Sequence, residues 1–289
     1  MNSYLQNLIG QLARIYVNTP FYPHWLEHRE SLRLRGKIFK DLASRLNSDS
    51  SLSLLEIGCG SQYNKISQFL PISYYCGLEY PQWWALLPST TTKKWWANNC
   101  SSEKNPESSF LQRVLKEIIF ATADVKTDVW GDGIQLPFRD NCFDIVAHFE
   151  VMEHVSSPEL LFQEITRCLK PEGYVLFSVP FLYQNHSAID ISRLTKQGIE
   201  ALCQKHELKQ ITYLCTGGGT AISQLANSFI IKNVVKIYAD SSSLFRKVII
   251  AGLATVLLFP VINVICFITD KIWLDDAYAN RHYFLLKKL

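Results

Sequence analysis

The spacing of apolar residues changes twice along the chain. Up to residue 47 it has a helical period: Leu5, Leu8, Leu12 and Ile15 recur at intervals of three and four, and after a break at Thr19 to Pro23 a similar spacing returns at Leu32, Ile38, Phe39, Leu42 and Leu46. From Leu52 onward, short apolar runs alternate with helical patterns, which is the signature of a parallel sheet covered on both faces. These runs predict strands at Leu52–Ile57, Tyr74–Glu79, Asp128–Gly131, Phe143–His148, Tyr174–Val179 and Lys209–Cys215, with a last one at Arg281–Lys288. The clearest helix runs from Pro158 to Leu169, with Ser157 as its cap, Pro158 at the first position, Glu159 in the first turn, and Pro171 and Gly173 beyond its end. Thr195 caps the next, which continues through Ile199 and Leu202 to about Leu208.

The expected fold class is therefore α/β: a doubly wound, seven-stranded, mostly parallel sheet with N-terminal helices and an apolar helical insert before the last strand. Residues 1–47 form a helical cover, residues 48–216 with 279–289 the sheet domain, and residues 217–278 the insert. Within the sheet domain, residues 80–110 pair tryptophans with Ser, Thr, Asn and Pro, a composition suited to a long lid and not to a regular crossover.

Composition narrows the function classes. With 48% hydrophobic residues the chain can bury a sizeable core, and a net charge of +3 without a Lys/Arg block gives no footprint for nucleic acid. The eight cysteines lie far apart, with no Cys-x-x-Cys pair and no Cys/His quartet, so no metal centre is expected and a reducing, cytoplasmic compartment is.

Candidate chemistry begins at "LLEIGCGS", Leu54 to Ser61, an apolar strand that ends in a glycine turn. A dinucleotide site would want a third glycine where Tyr63 stands, which disfavours a pyrophosphate. Gly58 and Gly60 still permit close backbone approach, and Glu56 brings a carboxylate within reach of a ligand ammonium or an ordered water. Glu79 ends the next strand, where this fold places an acid against ribose hydroxyls, and Asp132 follows the third strand at the same edge. Three carboxylates along one edge suit a ligand with an amine, a ribose and a sulfonium. For a general base the candidates are Glu150, His154 and His186, with His154 read as a donor that orients its loop.

"LLEIGCGS", "GLEY", "GDGIQLPFRDNCFDIV", "FEVMEHV" and "EITRCLKPEGYVLFSVPF" together resemble the successive motifs of class I S-adenosylmethionine-dependent methyltransferases, in the type 11 branch that includes quinone and sterol methylating enzymes. The resemblance covers Leu52 to Cys215. It implies that the turn of Gly58, Cys59 and Gly60 lies along the methionine part of S-adenosyl-L-methionine, with Glu56 near its ammonium, Glu79 on the ribose, and Asp132, Gly133 and Ile134 at the adenine. It also implies that Glu150 borders the methyl-transfer site, and that Pro180, Phe181, His186, Asp190, Arg193 and Thr195 match a loop of the family. A plain ion pair between Asp190 and Arg193 that pins this loop is the competing reading. The enzyme reading is methyl transfer to a small-molecule or lipid-linked acceptor; the alternative is a catalytically silent scaffold that binds a protein partner through the insert. An NAD-dependent oxidoreductase is disfavoured by Tyr63 and Asp132.

The insert holds Val248 to Thr269, 22 residues without charge, about 33 Å as a helix at ~1.5 Å per residue. It follows an amphipathic pattern over Ala221 to Ile237, and Pro260 interrupts it. A strand at 281–288 must lie on the same side of a membrane as the strand before the insert, so peripheral or monotopic attachment is favoured over a partner surface or a span.

Overall fold

The computed structural model describes residues 11–12, 15–46, 51–59, 69–80, 127–187, 189–240 and 243–289. Leu5 and Leu8 of the expected first helix, Gly60 and Tyr63, and the lid stretch apart from Tyr80 lie outside the described residues. The described chain divides into two units: residues up to Ser31 group with Thr216–Ala279, and residues from Leu32 group with Asp124–Cys215 and Asn280–Leu289. The boundary expected at residue 47 thus falls earlier, inside helix α1 (Trp25–Ala43), because the two ends of that helix serve different partners.

In the sheet unit, strands β1 (Leu52–Ile57), β2 (Ile72–Glu79), β3 (Val129–Trp130), β4 (Phe143–Phe149), β5 (Leu169–Pro180), β6 (Leu208–Cys215) and β7 (Arg281–Lys288) lie in the order β3-β2-β1-β4-β5-β7-β6. All pairs are parallel except those of β7, which runs antiparallel to both β5 and β6. The building direction reverses between β1 and β4, so their carboxyl ends open the crevice where such sheets take ligands.

Both faces of the sheet are apolar, as the near-continuous runs predicted. On one face Leu34, Ile38, Phe39 and Leu42 of α1 meet Leu54, Ile145, Leu176 and Tyr283. On the other, Phe162 and Ile165 of α2 (Pro158–Cys168) and Ile199 of α3 (Lys196–Lys205) meet Leu55, Val146, Phe177 and Phe284. Each such side chain contributes about 1.5–3 kcal/mol by leaving water. Both predicted caps are made: the Ser157 hydroxyl accepts from Leu160 N at 3.3 Å and that of Thr195 from Gly198 N at 3.1 Å.

Strand β5 starts five residues before its predicted start at Tyr174. Pro171 and Gly173 do end α2, but the chain then pairs with β4 through a register shift, with Glu172 at φ +64°. Asp144, at the shift, accepts from Lys170 Nζ at 2.8 Å and Ser53 Oγ at 2.6 Å.

The second unit contains α4 (Gly218–Asp240) and a continuous helix from Phe245 to Ile272, composed of α5 (Leu244–Leu253), a π-helical turn (Ala254–Leu258) and α6 (Phe259–Ile272). Pro260 sits in the first turn of α6; it lacks an N–H and crowds the carbonyl four residues earlier, and the wider π turn lies where that bond is missing. The two helices cross closely at Gly219, where a Cβ would lie 2.2 Å from the Cys266 carbonyl oxygen. Asp270 caps α4 there, accepting from Gly219 N (2.7 Å), Thr220 N (2.9 Å) and Thr220 Oγ1 (2.6 Å).

One core residue is unusual. His148 on β4 is fully buried and stacks on Phe177 at 4.8 Å, and among the described residues neither ring nitrogen has a hydrogen-bond partner. Burial pushes its pKa down to about 3. The folded value lies below the unfolded one, so the unfolded chain takes up the proton first. Stability is therefore complete above the unfolded pKa of ~6.5 and falls by about 1.4 kcal/mol per pH unit below it, until the folded value is reached. His148→Phe, which keeps the stack, should remove this component. The check is the urea midpoint of both proteins between about pH 7 and pH 4; identical pH slopes would refute the assignment.

Candidate functional site

The turn after β1 is built by backbone. Gly58 has φ +66°, a left-handed conformation that favours glycine, and a Cβ there would lie 2.5 Å from Val151 Cγ2. Gly58 N and Cys59 N both donate to Leu78 O of β2, at 2.8 and 3.3 Å. The turn is thus packed between the ends of β2 and β4.

Glu56, buried within β1, accepts from the Tyr75 hydroxyl at 3.0 Å. Glu79 ends β2, buried, with its carboxylate 4.0 Å from Cys59 Sγ. Burial, and then the Glu79 charge, push the Cys59 thiol up to about 12, so it stays protonated. Asp132 follows β3 in an Asx turn, accepting from Ile134 N at 3.1 Å. Gly131 N donates to Glu79 O at 2.9 Å, which joins the two acidic residues along one edge. Gly133 and Ile134 serve packing: a Cβ on Gly133 would lie 3.1 Å from Leu161 Cδ1, and Ile134 packs on the core.

The other side of the crevice follows β4. Glu150 has φ +58°, costly for a side-chain-bearing residue. Its carboxylate accepts from Ser178 Oγ and Arg281 Nε, each at 2.6 Å. Burial pushes its pKa up, but the Arg281 and Arg35 charges and the Ser178 bond outweigh it, and the net shift is downward. Here the structure differs from expectation: Glu150 is held ionised by its partners and not raised toward the range of a general base.

The raised carboxyl is Glu153, in the 3₁₀ turn Met152–His154. Burial and the Glu150 charge push it up to about 8. Sequence reading missed it, although the signal was present in "FEVMEHV", where a spacing of three brings two acids onto one turn.

His154 sits beside it, with Nε2 3.4 Å from Glu153 Oε1 and Nδ1 bonded to the Ile189 carbonyl. It does orient its loop, as expected of it. Burial lowers its pKa, with the Ile189 bond opposing. The His186 ring lies 5.1 Å away, edge to face, with Nδ1 3.0 Å from Asp190 Oδ2, and the His186 backbone N–H donates to the same oxygen at 3.1 Å. Asp190 also takes both terminal nitrogens of Arg193; that hydrogen-bonded pairing, opposed by burial, pushes its pKa down to about 2. The Asp190–Arg193 pair thus pins the loop, with the His186 backbone tied to it.

Residues 108–177 match the profile of a family described as "Methyltransferase domain". The match includes Glu150, Glu153 and His154 and excludes the glycine turn. A curated relative, the glycine/sarcosine/dimethylglycine N-methyltransferase of Actinopolyspora halophila, is 25% identical over 141 residues, which are 48% of this chain and 20% of that protein. The chain thus spans a small part of that relative's length. Among solved structures, a candidate sarcosine dimethylglycine methyltransferase from Galdieria sulphuraria has a TM-score of 0.49 at 13% identity, covering 90% of this chain and 87% of that one. Phosphoethanolamine N-methyltransferase 2 of Haemonchus contortus, solved with S-adenosyl-L-methionine, has a TM-score of 0.45 at 15% identity, covering 88% and 52%.

The Gly58–Val151 contact makes the two sides of the crevice interdependent. Gly58→Ala should cost about 3 kcal/mol, from the left-handed backbone and the overlap with Val151. Val151→Ala in the same chain should recover the overlap share, seen as a coupling of about 1 kcal/mol or more in a double-mutant cycle of urea unfolding. Additive single effects would show that the turn and the β4 end do not press on each other.

Proposed function

We propose that the chain is an S-adenosylmethionine-dependent methyltransferase that passes a methyl group to a small or lipid-linked acceptor at a membrane surface. The observation that carries the cofactor is the meeting of the Gly58–Cys59 turn with the buried Glu79 carboxylate at the carboxyl edge of the sheet. Only a glycine fits at 58, and the bare backbone there lets a ligand approach closely. Glu79 accepts hydrogen bonds from the two ribose hydroxyls, and Asp132, one strand further along, faces the adenine amine. Glu56 supplies negative charge for an ammonium. This acidic edge favours a cationic ligand and opposes the diphosphate of a dinucleotide. When bound, the cofactor supplies an electrophilic methyl carbon on a positively charged sulfur.

The acceptor sits on the β4 side. Glu150, ionised and clamped, fixes the shape of that wall, while Glu153, His154 and His186 line the part of it that can exchange a proton. The curated relative is an N-methyltransferase, and an amine or hydroxyl acceptor suits these groups. Isothermal titration of the detergent-solubilised protein should give about micromolar binding of S-adenosyl-L-methionine and none of NADH. Binding of neither to the folded protein would favour the silent scaffold instead.

The membrane reading rests on the second unit. The helix from Phe245 to Ile272 exposes apolar side chains over most of its surface, Val248, Leu253, Val256, Val264 and Ile268 among them, while Ala254, Phe259, Asn263 and Cys266 are buried. On the buried side Asn263 Nδ2 donates to the carbonyls of Pro20 (2.8 Å) and Tyr22 (2.9 Å), and its Oδ1 accepts from Ser223 Oγ (2.6 Å) and Asn227 Nδ2 (3.0 Å). A full crossing would put this non-helical backbone at hydrocarbon depth, a position tolerated only when it is shielded from lipid. A helix lying in the interface keeps this apolar surface in the acyl region and the polar collar above it, with Arg246, Lys247, Lys271 and Trp273 at headgroup level. Residues 215 and 282 are cross-strand partners, so the insert leaves and rejoins the sheet at neighbouring positions, as same-side attachment requires. Val256→Asp and Val264→Asp should each lower flotation with anionic vesicles by roughly tenfold. Unchanged flotation with the fold intact by circular dichroism would remove the insert from this role.

A further inference from the structure

The cluster given a proton-exchanging role above is built in a way that role does not require. Glu153 Oε, His154 Nε2 and a ring nitrogen of His186 lie within 4.8 Å of one another. The Glu153 side chain is 1% exposed, and among the described residues neither of its oxygens accepts a hydrogen bond. A carboxylate taken out of water without donors is costly unless something positive completes it.

The His154 imidazole is oriented for that task. The Ile189 carbonyl can only accept, so His154 carries its proton on Nδ1, which leaves Nε2 as a lone pair directed at Glu153. Asp190 Oδ2 accepts from the His186 backbone N–H at 3.1 Å and lies 3.0 Å from its Nδ1, which keeps this residue beside the other two. An imidazole whose Nδ1–H is held by a carbonyl or a carboxylate, with Nε2 presented inward, is the usual outer-shell arrangement of a metal-binding histidine. Asp190 is itself held by Arg193, which fixes the His186 backbone while its side chain stays free to turn.

We propose that Glu153, His154 and His186 bind a first-row divalent cation. Two imidazoles and one carboxylate suit zinc, cobalt, iron or manganese, whereas calcium and magnesium favour oxygen ligands. Bonds of ~2.0–2.2 Å put donor atoms roughly 3.3 Å apart. The His154–Glu153 distance of 3.4 Å already meets this, and side-chain rotation of His186, the most exposed of the three, closes the rest. Three protein ligands leave at least one coordination position for water or a ligand oxygen, as in sites that act on substrates. Sequence reading expected no metal because it looked for short Cys and His spacings, whereas here the third ligand comes from a loop 32 residues after His154. The inference stands apart from the cofactor, since these side chains can take up a cation whether or not a methyl donor binds.

The test uses the full chain, stripped with chelator and then titrated with Zn²⁺ and with Co²⁺. One equivalent per chain is expected, with visible Co²⁺ absorption bands and a raised melting temperature on metal addition. Glu153→Gln and His186→Ala should each weaken binding at least tenfold and abolish the melting shift, and Asp190→Asn should weaken it less, by roughly tenfold at most. His186 lies in a partly exposed loop, so its variant keeps the fold even if the Glu153 variant does not. Absence of metal uptake by the wild type, or equal uptake by His186→Ala, would overturn the proposal. In the first case a proton shared between Glu153 and His154 would account for the cluster.

Discussion

The Arg281–Glu150 ion pair is the contact on which the arrangement of the crevice depends. Its two side chains are only 9% and 20% exposed, and the residues are 131 positions apart. Glu150 occupies a strained left-handed turn, and a strained residue persists only where its surroundings over-determine it. Here they do so through three bonds: the Arg281 guanidinium, the Ser178 hydroxyl, and the Glu150 N–H to the Ser178 carbonyl. Arg281 is fixed in turn by the pairing of its backbone with Pro180 and by the Tyr183 ring beneath its guanidinium. Loss of one partner from such a buried pair costs about 3–5 kcal/mol, because the other is left as an uncompensated charge. The first strand after the insert thereby holds the turn that carries Glu153 and His154.

The same ionised carboxylate explains the chemistry beside it. Its charge is one of the two causes that push Glu153 upward, so two acids three residues apart are separated into a fixed anion and a group that titrates near neutrality. Position in the strand order completes the picture: the reversal between β1 and β4 brings the backbone of Gly58 against Val151, and with it the acidic edge of β2 and β3 beside the histidines after β4.

Most of the fold was legible because it is written in periodicity. Strands buried on both faces leave runs such as Leu54–Ile57 and Tyr283–Leu286, and caps such as Ser157 and Thr195 mark helix starts whatever the tertiary context. Errors fell where tertiary pairing overrides local signals. Pro171 and Gly173 look like the end of an element yet sit in a bulge, since β4 offers a partner that a sequence window cannot see. The site was legible by residue type and less so by role. Glu150, His154 and His186 were named as candidates, but nothing local reveals that Arg281 would pair with Glu150 while, among the described residues, Glu153 has no donor. At Gly133 the structure adds a packing reason that no sequence window shows, since a side chain there would press on Leu161.

The antiparallel strand has a consequence for how the chain assembles. Strand β6 sits at the edge of the sheet and pairs with β7 alone, and β7 is synthesised only after the whole insert. Until then β6 has no ladder to join, and loop closure across that distance makes the step a late one. During synthesis, the apolar helices therefore leave the ribosome before the sheet that carries them is closed. A bilayer or a chaperone is thus offered them while the sheet is still incomplete.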